Sequence, residues 1–216
     1  MKHIWLNTVL NRPWLTLLIG ILLIMAAATG GQNLYFRGDY KVFFGDNNPQ
    51  LTAFEQMQST FNKNENASII IAPKSGNVFS KETLTLIKDM TDQAWLTPNS
   101  SRVDSISNYQ HTWAQEDDLI VEDLVPDIEL IDQQTIARAR EVALKEPNLV
   151  NRMVSEKGHV AVINVTVRLP DADTPETALD ASVAVNDITG YITKMTDEYK
   201  EQYPDHDFYH TGIVFM

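Results

Sequence analysis

Two histidines and a carboxylate near the C-terminal end of the chain are its best candidates for metal chemistry. His206 and His210 lie four residues apart, and Asp205 precedes the first of them. Zinc accepts imidazole and carboxylate ligands, and a site needs three or four of them. Tyr209 and Ile213 favour a strand, on which the two histidines share a face but lack a third ligand. We therefore predict no zinc site and expect these histidines to lie at the surface or to face a partner.

Carboxylates are concentrated in the middle of the chain, at 116–118 and again at Glu122 and Asp123. Closely spaced carboxylates bind calcium when an Asp-x-Asp-x-Asp-Gly order turns the loop around the ion. This segment has neither that order nor a glycine. We predict a solvated loop here, and the sequence assigns no metal ion or other cofactor to the protein.

Motifs for nucleophilic catalysis are missing from the sequence. It contains no Gly-x-Ser-x-Gly elbow, no phosphate-cradling glycine-rich loop and no His-Glu-x-x-His pair. His111 and His159 are isolated from other candidate residues. We therefore assign no catalytic, cofactor-binding, metal-binding or cargo-binding residue, and we expect a protein that is not an enzyme.

The element that fixes the location of the chain is an uncharged stretch at 13–36. None of the fifteen residues at 14–28 is charged or carries an amide. A helix that crosses the hydrocarbon core of a bilayer needs roughly 20 mostly apolar residues. We predict a transmembrane helix with its core at 14–30, preceded by a short cytoplasmic N-terminus.

Two alternatives to this anchor remain open. Lys2, His3 and Arg12 precede the apolar run and Ala26 to Ala28 close it, which also fits a cleaved signal peptide. A soluble core helix is the third interpretation, although such a helix normally has a polar face. Anchor and signal both keep the basic N-terminus in the cytoplasm and send the residues after about 31 across the membrane.

The charge of the exported part limits its partners. All 29 acidic residues but only 15 of the 17 Lys and Arg lie after residue 30, so this part has a net charge of −14. Such a field repels polyanions, which excludes nucleic acid as a partner and disfavours charge-driven docking on anionic lipid head groups. The chain has no cysteine, so a hydrophobic core must hold the fold without disulfides.

Hydrophobic spacing in the first half predicts alternating strands and helices. A stripe of Leu51, Phe54, Met57 and Phe61 at spacings of three and four predicts a helix with one buried face. Ser80 is placed to cap the next helix. The predicted order is strand 39–44, helix 49–61, strand 67–72, helix 80–95 and strand 102–107.

The second half predicts the same alternation after a connector at 109–126. Apolar residues at every second position of 160–169 predict a strand with one buried face. The following helix has a buried stripe formed by Ala181, Val185, Ile188, Ile192, Met195 and Tyr199. A helix at 132–145 and a strand at 208–215 complete the half. We predict an α+β fold with subdomains at 38–108 and 127–216, joined by the connector.

Five short motifs of the chain carry a family resemblance: Gly38-Asp-Tyr-Lys-Val-Phe-Phe44, Asn48-Pro-Gln-Leu51, Arg102-Val-Asp-Ser-Ile106, Asn108-Tyr-Gln-His111 and Asn164-Val-Thr-Val-Arg-Leu-Pro170. With them the chain resembles exporters of the RND superfamily, and more narrowly their MMPL-like "predicted exporter" branch. The resemblance covers residues 1–37 as the first membrane helix with its exit and residues 38–216 as the first periplasmic porter domain.

The resemblance implies the N-terminal portion of a proton-driven exporter of the bacterial inner membrane. The residues after about 31 would form a periplasmic porter domain of two βαβ-type, ferredoxin-like subdomains that handles a hydrophobic or amphiphilic, lipid-like cargo. Its implied partners are the lipid bilayer, the cargo, the remaining transmembrane helices and further copies of the same protein. Movement of the subdomains about 109–126 would open a cleft for the cargo. The alternative is a stand-alone secreted or membrane-anchored extracytoplasmic binding module.

Overall fold

The computed structural model describes residues 13–29, 43–44, 48–61, 65–115, 118–171 and 174–215. The helices are α1 Pro13–Thr29, α2 Pro49–Phe61, α3 Lys81–Ala94, α4 Gln133–Lys145 and α5 Pro175–Gln202. The strands are β1 Glu65–Pro73, β2 Ser100–Asp104, β3 Gln110–Gln115, β4 Asp118–Asp123, β5 Ala161–Val167 and β6 His206–Thr211. Short 3-10 turns occupy Ile128–Leu130 and Ile213–Phe215.

One four-stranded sheet organises the fold. Its strand order is β2-β5-β1-β6, and every neighbouring pair is antiparallel. α3 connects β1 to β2 and α5 connects β5 to β6, so each helix links two parallel strands that have another strand between them. This is the split β-α-β-β-α-β arrangement of ferredoxin-like folds. The predicted α+β class is confirmed.

The expected pair of ferredoxin-like subdomains is not confirmed. β1 and β2 belong to the predicted subdomain 38–108, β5 and β6 belong to 127–216, and strands of the two alternate in one sheet. β1 and β5 pair along their length, from Glu65 opposite Val167 to Ile71 opposite Ala161. Two strands alone make only a marginal sheet, so the two halves combine their strands over a shared core. β3, β4 and α4 are an insertion between β2 and β5.

The core lies between the inner face of the sheet and helices α3 and α5. Alternate residues of β5 are buried, as the spacing at 160–169 predicts, and so are the last four of the six residues in the stripe predicted on α5. The fully buried residues of the sheet and the two helices include Ile69, Ile71, Ile163, Leu84, Ile87, Met90, Ile188 and Ile192. The predictions of α3, of α4 and of the buried face of α5 are confirmed.

Three of the four residues of the stripe predicted on α2 are not buried, and the Phe61 side chain lies outside the described part of the structure. α2 has the predicted bounds, but Phe54 is 39% exposed and Met57 is 49% exposed, and Leu51 is half-buried. The buried core contains residues of α3, α4 and α5 and, among the described residues, none of α2. Of the predicted strand at 39–44, residues 39–42 lie outside the described residues, and Phe43 and Phe44 are exposed and belong to no strand.

The connector predicted at 109–126 is a β-hairpin. β3 and β4 pair in a continuous antiparallel register from Gln110 opposite Asp123 to Gln115 opposite Asp118. Residues such as Trp113, Ile120 and Val121 have a high strand propensity, which outweighs the acidic residues around them. Two other predicted strands are shorter than expected, because β2 ends at Asp104 and β6 ends at Thr211.

α1 presents its apolar side chains to the outside. It contains 17 residues without a charged side chain, and Trp14, Leu23 and Ile24 are more than half exposed. Within the described residues, no helix has both the length and the hydropathy of a membrane span.

Candidate functional site

The two histidines singled out in the sequence lie on the inner face of β6, where this edge strand meets α3 and α5. Strand alternation places His206 and His210 on one face, as predicted. His206 is 3% exposed, and its Nε2 lies 2.9 Å from the Thr83 hydroxyl on α3. The expectation of surface histidines is therefore wrong for His206. Its hydroxyl partner is more than a hundred positions away in the chain.

His210 makes the corresponding contact with α5. Its Nε2 lies 2.9 Å from the Thr196 hydroxyl, and its ring stacks on Phe215 with centroids 5.0 Å apart. Thr196 donates its own proton to the Ile192 carbonyl oxygen at 2.7 Å. The hydroxyl oxygen must then accept from the imidazole, which assigns the proton of neutral His210 to Nε2.

Local sequence explains how Thr83 reaches His206. Ser80 caps α3, and its hydroxyl oxygen accepts from the Thr83 backbone N–H at 3.1 Å. The two hydroxyls are 2.9 Å apart, so the cap and the histidine share one hydrogen-bonded chain. On the other side of the ring, Tyr203 at the end of α5 packs edge-on with centroids 5.7 Å apart.

Burial dominates the electrostatics of both histidines. Desolvation lowers the pKa of His206, partly opposed by the carboxylates of Glu82 and Asp205. Desolvation also lowers the pKa of His210, partly opposed by Asp197. Both rings are therefore neutral near pH 7, and the buried Nδ1 of His206 finds no hydrogen-bond partner among the described residues.

Tyrosines of α5 fasten this helix to α3 beside the histidines. The Tyr199 hydroxyl donates to an Asp89 carboxylate oxygen at 2.9 Å, and the Tyr191 hydroxyl donates to the Gln93 carbonyl oxygen at 3.1 Å. Burial, followed by the hydrogen bond and charge of Asp89, raises the pKa of Tyr199 far above its ordinary value. The phenol stays protonated at physiological pH and acts as a structural donor.

The geometry of β6 does not assemble a metal site around its histidines. Each imidazole Nε2 is engaged by a threonine hydroxyl, and the two threonines belong to different helices. In the parts of the chain that the structure describes, no group of three or more His, Cys, Asp or Glu residues could hold a metal ion. Of the acidic run, Glu116 and Asp117 lie outside the described residues, and Asp118, Glu122 and Asp123 belong to β4.

The other two histidines of the described residues have structural contacts. His111 stacks on Trp113 in the hairpin with centroids 5.4 Å apart. His159 Nδ1 lies 3.0 Å from the Ser155 hydroxyl, which resembles a nucleophile and its base. That hydroxyl oxygen also accepts from the His159 and Val160 backbone N–H groups, so Ser155 holds a turn.

Two polar clusters were not predicted from the sequence. Between α3 and the segment that follows β2, the buried hydroxyls of Thr91, Ser105 and Ser107 form a cluster in which each oxygen lies within 3.2 Å of the other two. On the outer face of the sheet, the Asn164 side-chain oxygen accepts from Asn66 at 2.8 Å and from Ser68 at 2.9 Å. The second cluster joins segments nearly a hundred positions apart, and only Ser105, Ser107 and Asn108 could have indicated the first.

The hairpin contacts the rest of the protein through Arg138 of α4. The guanidinium lies 5.1 Å from the centre of the Trp113 ring and 2.9 Å from a Glu122 carboxylate oxygen. The opposite face of the hairpin is open, with Leu119 71% exposed and Val121 52% exposed.

Comparison with known proteins adds no relative. The chain matches no protein-family model, no curated protein and no solved structure.

Proposed function

We propose that this protein is the N-terminal, membrane-anchored portion of a proton-driven exporter of the RND type, located in the bacterial inner membrane with the residues after about 31 in the periplasm. The observation that carries the proposal is α1, whose large apolar side chains are exposed and which contains no charged residue. A helix that is apolar on all sides is buried in protein or in lipid.

The composition of the apolar stretch supports a lipid environment. At 1.5 Å per residue, α1 spans about 26 Å, close to the roughly 30 Å of a hydrocarbon core. The uncharged stretch of the sequence continues to residue 36. In water, this exposed apolar surface would associate with other surfaces, whereas acyl chains accommodate it.

The folded body supports a non-enzymatic role on the far side of the membrane. Basic residues precede α1 and the acidic domain follows it, which is the orientation that retention of Lys and Arg in the cytoplasm favours. The candidate chemical groups of the described residues act as donors and acceptors within the fold. A hydrophobic or amphiphilic, lipid-like cargo and the remaining transmembrane helices are the partners that we propose.

The hinge expected at 109–126 is not retained in this proposal. Seven residue pairs join β1 to β5 across that boundary, so separation of the two halves would break the centre of the sheet. We propose instead that the split βαβ body acts as one rigid unit, against which other parts of the exporter move.

The test uses antibodies raised against residues 65–211 and membranes of the source organism. The exporter proposal expects the antigen to stay in the membrane through alkaline carbonate washing and to belong to a polypeptide several times longer than 216 residues. Recovery of the antigen in the soluble fraction would contradict anchoring, and an integral protein of about this length would contradict the exporter.

A stand-alone extracytoplasmic binding module is the second candidate. The outer face of the ferredoxin-like sheet favours it, because this face carries the half-buried amides of Asn66 and Asn164 and a 56% exposed Tyr209. N-terminal sequencing of the mature protein separates two forms of this candidate. An intact N-terminus indicates an anchored module, whereas a terminus shortly after Ala28 indicates a secreted one.

A further inference from the structure

Two imidazoles of β6 each contact a threonine hydroxyl of a different helix. β6 is an edge strand that pairs with β1 alone, from Thr211 opposite Ser68 to His206 opposite Pro73. On its inner face, His206 bonds to Thr83 of α3 and His210 bonds to Thr196 of α5. The side chains that tie this strand to each helix are therefore both titratable near neutral pH.

We propose that His206 and His210 form an acid-sensitive fastening of β6: the neutral rings hold the edge strand against α3 and α5, and protonation of both rings loosens it from the body. This inference rests on the packing of β6 and is independent of the exporter proposal.

The environment of His206 suits only a neutral ring. A neutral imidazole has one donor and one acceptor nitrogen, whereas the imidazolium has two donors. Nε2 faces the Thr83 hydroxyl, and Nδ1 is buried without a partner among the described residues. The imidazolium carries a proton on both nitrogens, so its charged Nδ1–H would lie buried with no acceptor among the described residues, which is strongly unfavourable.

His210 responds in the same direction. Its Nε2 proton is already donated to Thr196, so an added proton must go to Nδ1. The ring is half-buried and lies nearly parallel to Phe215, at an angle of 18°. Burial disfavours a charge on this ring.

The charged groups around the two rings oppose the effect only in part. His206 is faced by Glu82 of α3, by Asp205 and by Tyr203 at the end of α5. Lys74 of the neighbouring loop bonds to the backbone of this turn through the carbonyls of Pro204 and Asp205. Asp197 of α5 is the carboxylate that acts on His210. The carboxylates raise each pKa, but desolvation is the larger effect, and both pKa values lie below the ordinary value.

The sign of the pH dependence follows from these directions. With β6 detached, each histidine has an ordinary pKa of about 6.5, and with β6 attached, its pKa is lower. The detached state therefore binds more protons as the pH falls below about 6.5, and attachment weakens progressively until the lower pKa is reached. Above that window the fastening is complete. Detachment would expose the β1 edge, which is a pairing surface for another strand.

The test is amide hydrogen exchange of the full chain in detergent micelles, at about pH 7.5 and about pH 5.5, corrected for the intrinsic pH dependence of exchange. Protection of the β6 amides should fall at the lower pH relative to that of the β5 amides, because the detached state binds more protons there. In the double variant H206Q/H210Q, glutamine side chains that stay neutral replace the two imidazoles. The ratio of backbone-amide protection in β6 to that in β5 should therefore not change with pH. The control variant H159Q removes a histidine outside β6 and should behave like the wild type.

The proposal would be overturned if the ratio of β6 to β5 protection changed equally with pH in the wild type and the double variant. A ratio that stays constant with pH in the wild type would also overturn it. If the double variant does not fold, NMR titration of the wild-type histidines decides the question. The proposal requires both ring signals to titrate below the ordinary value and the β6 amide shifts to move with the same midpoints. A ring that titrates at or above about 6.5 would refute it.

Discussion

The four-stranded sheet and the β3–β4 hairpin are built from similar residues but differ in what covers them. In β5, every second side chain is buried, and Ile163 is completely inaccessible. In the hairpin, Leu119 and Val121 are more than half exposed. Among the described residues, the side-chain contacts shown between the hairpin and α4 are those that Arg138 of α4 makes with Trp113 and Glu122. Strand propensity thus produced both elements, whereas long-range packing stabilises only the sheet.

This difference assigns separate roles to the two regions. Helices α3 and α5 cover one face of the sheet and are joined to each other and to β6 by buried hydroxyl, imidazole and phenol contacts. The hairpin follows Ser105 and Ser107 in the chain, and their buried hydroxyls form a cluster with Thr91. We expect mutations in the sheet to change global stability and mutations in the hairpin to change only its local opening.

The largest contrast is expected for apolar truncations in the two regions. Ile163→Ala should lower the free energy of unfolding by about 2–5 kcal/mol, because it leaves a cavity among fully buried side chains. Leu119→Ala, at a 71% exposed position of the hairpin, should change it by less than about 0.5 kcal/mol. Denaturant unfolding monitored by circular dichroism measures both. Similar losses for the two variants would break the distinction between the regions.

A smaller effect within the body is expected at the end of β6. Gly212 has φ 112°, and an added Cβ would collide with the Asn66 carbonyl oxygen and lie 3.1 Å from the Ala67 Cα. Gly212→Ala should destabilise the protein by about 1–3 kcal/mol through strain at this close approach. Gly190→Ala, on an open surface of α5, should instead stabilise it by about 0.5–1 kcal/mol. Thermal unfolding checks the opposite signs, and destabilisation by both would show that backbone strain is not the cause.

The smallest effect concerns the contact between the two regions. Arg138→Lys keeps the positive charge but loses the planar guanidinium over the Trp113 ring and its N–H donors toward the Glu122 carboxylate. Hydrogen exchange of the β3 and β4 amides should become about two- to fivefold faster, since a partly exposed contact of this kind contributes below about 1 kcal/mol. Amides of β1 and β5 should not change. Arg168→Lys, at an exposed site beyond β5, is the control. Faster exchange in β1 as well would mean that the hairpin supports the sheet.

Regular spacing made the elements of the body predictable. The alternation at 160–169 and the stripe on α5 each report a single buried face, and both are confirmed. Pairing of β1 with β5 was not predictable, because it joins residues about a hundred positions apart and both halves carry equally apolar strands. The predicted subdomain pair failed at this step.

The hairpin and the site were predicted less well for different reasons. Acidic residues around Leu119 and Val121 suggested a solvated connector, although the strand pattern was present. The shared face of His206 and His210 followed from their spacing. The burial of His206 did not, since it depends on Thr83 and the cap of α3, which come close only in the folded chain.

Membrane topology is the most direct test of the account, and the absence of cysteine from the sequence permits it by single substitutions. Lys157→Cys, in an exposed turn of the body, and Lys2→Cys, before α1, are treated with a membrane-impermeant maleimide in intact spheroplasts and after lysis. We predict that Lys157→Cys reacts in intact spheroplasts and that Lys2→Cys reacts only after lysis. Protection of Lys157→Cys until lysis would contradict a membrane-anchored, extracytoplasmic body.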